Sequence, residues 1–118
     1  MTDTAYKLVD RAEWQAARAA GAYAGSAVDR ADGYIHMSTA AQLAETARRH
    51  YAGRTGLVLV AVALDRVGAA LKWEASRGGD LFPHLYAPLP LAAATGERGL
   101  SVDAGGVMQF EDGAVGWP

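Results

Sequence analysis

Two short stretches hold the residues best suited to chemistry. One is Asp32-Gly33-Tyr34-Ile35-His36-Met37-Ser38-Thr39; the other is Phe82-Pro83-His84-Leu85-Tyr86, preceded by Lys72-Trp73-Glu74-Ala75-Ser76-Arg77-Gly78-Gly79. The rest of the chain is mostly alanine, leucine, valine and glycine. Histidine has the unperturbed pKa nearest neutrality, so an imidazole can donate a proton, accept one or bind a metal. Two imidazoles gathered with hydroxyls, a tryptophan and a Lys-Trp-Glu triplet point to one shared pocket.

Each stretch carries its own geometry. His36 and Ser38 lie two apart, so in an extended segment both side chains leave one face while Met37 leaves the other. Thr39 then opens a helix, whose free amides and positive dipole end favour an anionic group such as phosphate. The plainer reading is that Ser38 and Thr39 only cap the helix and that His36 is a hydrogen-bonded core residue. Pro83 fixes its own φ and holds Phe82 extended, which stiffens the backbone that presents His84. Phe82 and Tyr86 can supply flat apolar walls for a base or a nicotinamide ring, or simply pack a Pro-containing turn. Trp73 is as readily core as ligand platform. Glu74 faces the other way on a strand, where it can accept from a ribose hydroxyl, act as a base, or pair with Arg77. Ser76-Arg77-Gly78-Gly79 lets backbone approach a ligand closely.

The sequence excludes other chemistries. There is no HxH or HExxH spacing and no cysteine, so no metal is expected. No G-x-S-x-G nucleophile elbow, GxGxxG or Walker loop occurs. His50 sits at the exposed end of the helix after Thr39, where a protonated imidazole is favoured by the dipole.

The positioning elements follow from pattern. Tyr6–Val9 reads as an opening strand, and Asp10 with Glu13 as the reciprocal capping pair of a helix ending at Gly21. Tyr34–Met37 reads as a brief strand introduced by the Asp32-Gly33 turn. Thr39 and Gln42 cap a further helix with Leu43, Ala47 and Tyr51 on one face and Gly53 as its stop. Leu57–Leu64 lacks alternation and reads as a central strand buried on both faces. Ala70–Ala75 reads as another strand, Pro83, Pro88 and Pro90 as markers of loops or strand edges, and 99–118 as hairpin-like or irregular strands. Early helices followed by strands without strict βαβ alternation give an α+β domain.

At 118 residues the chain is a single domain, 1–118, that can bury a core without staples. A hydrophobic fraction of 51% with 20% charged residues fits a globular protein. The net charge of −2 argues against nucleic acid as partner, since that affinity rests on clustered Lys and Arg. No secretory signal is visible at the start, and the longest apolar run, Leu57–Leu64, is far short of the ~20 residues of a membrane helix. A cytoplasmic location without membrane association is the expectation. Exposed strand edges allow a homodimer.

Read together, Ala5-Tyr6-Lys7, Trp14, Gly25-Ser26, Asp32 to Thr39, Gln42, Thr46-Ala47, Leu71 to Glu74, Arg77 and Phe82 to Tyr86 resemble the bacterial domain-of-unknown-function family numbered 952. The resemblance spans about residues 5–92 and leaves an irregular, strand-rich tail, 93–118. It implies the ADP-ribosylation fold: small mixed or antiparallel sheets around an NAD-binding cleft, with two or three short helices. RNA 2′-phosphotransferases are a more distant likeness; Ile35 to Ser38, the next helix and Leu57 to Val60 follow their order. Their Arg-His pair near the first strand has no counterpart in Tyr6-Lys7-Leu8-Val9, so the RNA activity does not carry over. What the resemblance implies is an NAD-dependent ADP-ribosyltransferase-like protein, with a nucleotide as ligand. His36, Glu74 and His84 would be its catalytic residues. His36, Ser38, Thr39, Trp73, Ser76, Arg77, Phe82 and Tyr86 would contact NAD. The competing expectation is a non-catalytic small-molecule or protein-interaction module that retains the fold.

Overall fold

The structure is a computed structural model that describes residues 3–113. In chain order the elements are β1 (Thr4–Asp10), α1 (Arg11–Ala20), β2 (Ala22–Tyr23), α2 (Ala27–Asp32), β3 (Ile35–His36) and α3 (Ala40–His50). They continue as β4 (Leu57–Ala63), β5 (Leu71–Ala75), β6 (Leu81–Leu85), β7 (Leu89–Pro90), β8 (Ala94–Val102) and β9 (Met108–Phe110). The described residues form a small α+β protein with three α-helices and antiparallel sheets.

β4 is central, as its unbroken apolar run requires: it pairs with β1 on one side and β8 on the other, in the order β1-β4-β8-β9. Side-chain alternation assigns its two faces to two cores. Val58, Val60 and Val62 meet Trp14 and Ala17 of α1 together with Ile35 and Leu85, whereas Leu57 and Leu59 meet Leu43 and Ala47 of α3. β1 divides the same way. Ala5 and Val9 join the first core, Leu8 the second, and Lys7 lies between Ala5 and Val9 on the first face. An ammonium there is buried, at 6% exposure, and burying a charge is costly unless it is paired.

β3, β6 and β5 form a second sheet, with β6 in the middle, and an isolated bridge ties it to the first. The amide of Tyr6 donates to the Ser38 carbonyl at 2.8 Å, and the Ser38 amide donates back to Tyr6 at 2.9 Å. Through this bridge Lys7 comes to the end of β3.

Several elements differ from expectation. The helix α2 is not anticipated by hydrophobic periodicity because it is only six residues long. It forms on a reciprocal capping box: the Ser26 hydroxyl accepts from the Asp29 amide while the Asp29 carboxylate accepts from the Ser26 amide. At α1 the expected reciprocity is absent; Asp10 accepts from the amides of Ala12 and Glu13, and Gly21 ends the helix in the left-handed conformation. The Thr39–Gln42 box forms as read, but α3 ends with Tyr51 as its C-cap, two residues before Gly53. Pro83 stands inside the central strand β6. Its carbonyl accepts from Met37, so its ring nitrogen faces Met37 too, and the return bond of that pair, which proline cannot donate, falls just past the end of two-residue β3. β8 and β9 form a hairpin, yet β8 is also the third strand of the main sheet, with Leu100 and Val102 fully buried. The end of the expected irregular tail, 114–118, lies outside the described residues.

Candidate functional site

His36 and His84 are register partners across β3 and β6, so their rings leave the same face of the sheet and stand 5.6 Å apart. The same parity brings Glu74 of β5 to that face. Glu74 Oε1 accepts from His84 Nδ1 at 2.9 Å and from the Tyr86 hydroxyl at 2.7 Å. Tyr34 stacks on His84, with centroids 4.2 Å apart, and lies 4.5 Å from His36 and 5.1 Å from Tyr86. The imidazoles therefore sit against Tyr34, which packs in turn on Tyr86, and in the wall of a cavity of about 620 Å³.

The two histidines are held differently. Asp29 Oδ1 lies 2.6 Å from His36 Nδ1 and also accepts from the His36 amide at 3.1 Å, while Asp32 Oδ2 lies 2.9 Å from Nε2. Both ring nitrogens of His36 are thus committed to carboxylates. His84 is 3% exposed, and only its Nδ1 is engaged, by Glu74; Nε2 has no hydrogen-bond partner among the described residues. With the Nδ1–H donating to Glu74, the Nε2 lone pair of His84 is the group the site offers to a ligand.

Asp29 is the centre of the buried electrostatics. It is 2% exposed and accepts from Lys7 Nζ at 3.1 and 3.2 Å, from the Ser26 amide at 2.9 Å, and from His36 through ring and backbone. Burial alone would raise its pKa; the His36 hydrogen bond, the Lys7 charge and the amides outweigh it and hold the carboxyl well below its usual range. Burial pushes the Lys7 ammonium down, against the upward pull of Asp29. On the second dyad, the hydrogen bonds from Tyr86 and then His84 lower Glu74, and the same Glu74 contact pushes the Tyr86 hydroxyl up to about 12.

Because folded Asp29 binds its proton more weakly than in the unfolded chain, its contribution is complete above the ordinary carboxylate pKa of 3.8. It is lost as pH falls through that value toward the lower folded one. The unfolding midpoint should hold from neutrality to about pH 5 and fall steeply below about pH 4, and the fall should be shallower in Asp29→Asn. Urea titrations across that range measure it; an equal slope in both proteins would contradict the assignment.

Backbone geometry at Gly25 places this carboxylate. Its φ is +102°, and a Cβ there would lie 2.8 Å from Asp29 Cβ and 3.4 Å from Ile35 Cγ1. Gly25→Ala should cost about 1–3 kcal/mol in chemical denaturation and disturb the His36 ring resonances; a silent substitution would refute this positioning role.

Of the residues singled out from sequence, His36, Ser38, Ser76, Phe82 and His84 line the cavity. Glu74 and Tyr86 stand behind His84 rather than in that lining, and Glu74 pairs with His84 and Tyr86. Thr39 caps α3, and the Ser38 hydroxyl bonds Thr46 Oγ1 at 2.9 Å. Trp73 leaves the opposite face of β5 from Glu74 and is 39% exposed. The Arg77 side chain lies outside what the structure describes. His50 is exposed in the last turn of α3, as expected, and also lines the cavity.

Lys7, Asp29, Tyr51 and Arg54 stand at the site although they lie outside the two stretches, and Asp32 and Tyr34 lie within the first stretch without a role assigned from sequence. Lys7 had a visible signal, a charge in the inward series Ala5-Lys7-Val9. Asp29 had one in the Ser26-x-x-Asp29 capping pattern.

The fold and this wall define a small α+β protein with a cavity faced by two carboxylate-backed imidazoles. The chain belongs to the family described as "Protein of unknown function (DUF952)", whose model matches residues 8–96. It is similar to protein CC0527 from Caulobacter crescentus. Against the crystal structure of that protein the identity is 53% and the TM-score 0.85, covering 90% of this chain and 93% of that one. Against its solution structure the identity is 52% and the TM-score 0.79, covering 92% and 93%. No curated protein matches the chain. Among the described residues, no helix is long and apolar enough to cross a membrane, and no group of His, Asp and Glu is arranged to hold a metal.

Proposed function

We propose that the chain has the ADP-ribosyltransferase-like fold and that its cavity binds NAD or a related nucleotide as substrate, for ADP-ribosyl transfer or glycosidic cleavage. The observation that carries this reading is the pair of carboxylate-backed imidazoles, 5.6 Å apart, in the wall of a cavity of about 620 Å³. That volume lies within the range of small-molecule sites, and its lining mixes apolar residues with a few convergent polar groups. Phe82 supplies a flat apolar surface beside His84, suited to a heteroaromatic ring.

The residues fit the chemistry as follows. When the N-glycosidic bond breaks, its electron pair goes to the nicotinamide ring, which leaves neutral and needs no acid. The incoming hydroxyl or water forms the new C–O bond and must lose a proton. His84 Nε2 is the acceptor for that proton, and Glu74 balances the charge that then develops on the ring. His36, with both nitrogens committed, holds the wall in place and gives a ribose hydroxyl a contact only where Asp32, 48% exposed, yields. The absence of cysteine is compatible with the cytoplasmic setting that the reading carries.

One observation favours a second reading. Lys7, Ser26, Asp29, Asp32 and His36 satisfy one another as a structural network would, so a binding module without turnover is the alternative. Titrating NAD, ADP-ribose and nicotinamide into the protein and into His36→Ala separates the two. Saturable binding weakened by the substitution, with release of nicotinamide from NAD, is the expected result. Binding without release supports the module, and no binding of any of the three overturns the nucleotide reading.

A further inference from the structure

The cavity has a second wall, away from the imidazole pair, built where the edge of β1 meets the end of α3. Tyr6 turns its amide and carbonyl away from β4 toward Ser38, and Leu8, two residues on, turns the same way. The Leu8 carbonyl accepts from the Tyr51 hydroxyl at 3.2 Å, which leaves the Leu8 amide aimed along the same open strand edge. Arg54 lies over the Tyr51 ring, 5.1 Å from its centroid, and forms no ion pair among the described residues. Lys7, next in chain to Leu8, directs two of its contacts to Asp29, and an ammonium has three donors. Lys7, Leu8, Tyr51 and Arg54 all line the cavity.

We propose that this wall is an anion subsite that takes a phosphate or pyrophosphate group, with Arg54 as its principal charge and Lys7 and the Leu8 amide as further donors. Arg54 is suited to the task because a guanidinium stacked on an aromatic ring keeps its fork of donors free for bidentate contact. Glu13 is the opposing charge. It also lines the cavity, is exposed, and has no cation paired with it among the described residues. Asp29 and Asp32 oppose the anion less, since Lys7 and His36 engage them.

The subsite stands by itself as a binder of inorganic phosphate or pyrophosphate, and it rests on the nucleotide reading only for what the phosphate is attached to. Calorimetric titration of inorganic pyrophosphate, and separately of ADP-ribose, into wild type, Arg54→Gln, Glu13→Gln and His84→Asn tests it. Pyrophosphate should bind wild type in a salt-sensitive manner and lose about tenfold or more in Arg54→Gln. It should gain in Glu13→Gln and be unchanged in His84→Asn. No pyrophosphate binding by wild type, or equal binding by wild type and Arg54→Gln, overturns the subsite. Arg54-dependent pyrophosphate binding with no added affinity for ADP-ribose upholds the subsite and sinks the nucleotide reading. ADP-ribose binding indifferent to Arg54→Gln does the reverse.

Discussion

Asp29→Asn should destabilise the protein by about 3–5 kcal/mol, because it strands the Lys7 ammonium in the core without its hydrogen-bonded counter-charge. Against a typical domain stability of about 5–15 kcal/mol, that is a large share of the total. The two partners are not equivalent. Lys7 directs both of its side-chain contacts to Asp29, whereas Asp29 also accepts from the Ser26 amide and from the ring and amide of His36. Lys7→Met therefore leaves a carboxylate that is still hydrogen-bonded and should cost less than Asp29→Asn. The double variant, which buries neither charge alone, should recover part of the loss. Equilibrium urea unfolding of the four proteins measures the cycle. Equal costs for the two single variants would show that the pair does not organise the core as described.

His84→Asn should lower nicotinamide release from NAD by about 100-fold or more, the usual size of a general acid–base contribution. An asparagine amide keeps a donor for Glu74 but cannot take up a proton, so nucleotide affinity should change far less than turnover. Glu74→Gln should lower turnover to a smaller degree, since the ring keeps an acceptor for its Nδ1–H while losing the balancing charge. His36→Asn should act mainly on stability and affinity, because its nitrogens are committed to Asp29 and Asp32. Single-turnover measurements with saturating NAD separate these effects. A larger loss of turnover in His36→Asn than in His84→Asn would reverse the assigned roles.

Local rules carried the sequence reading a long way at the elements that own their stabilisation. The Thr39–Gln42 box, the Gly21 stop and the unbroken Leu57–Ala63 run each contain their reason within a few residues. The convergence of His36 and His84 was legible for a related reason: both stand in short, polar–aromatic strands that have few other ways to be buried. What escaped was tertiary. Lys7 reads as an ordinary strand residue until Asp29 is known to sit against it, and α2 is too short for periodicity to register. Pro83 reads as a loop marker because the end of β3 beside it, where the missing donor falls, cannot be read from β6 alone. The division of labour between the imidazoles was equally invisible, since it depends on which nitrogen meets which carboxylate across three elements.

The measurement that bears most directly on the site is long-range proton–nitrogen NMR of the histidine rings, recorded on the full-length protein before and after adding ADP-ribose. The free protein should show His84 with its proton on Nδ1, and the ligand should move the His84 Nε2 resonance more than either nitrogen of His36. A spectrum in which saturating ADP-ribose leaves every ring nitrogen of His36 and His84 unmoved would contradict the account.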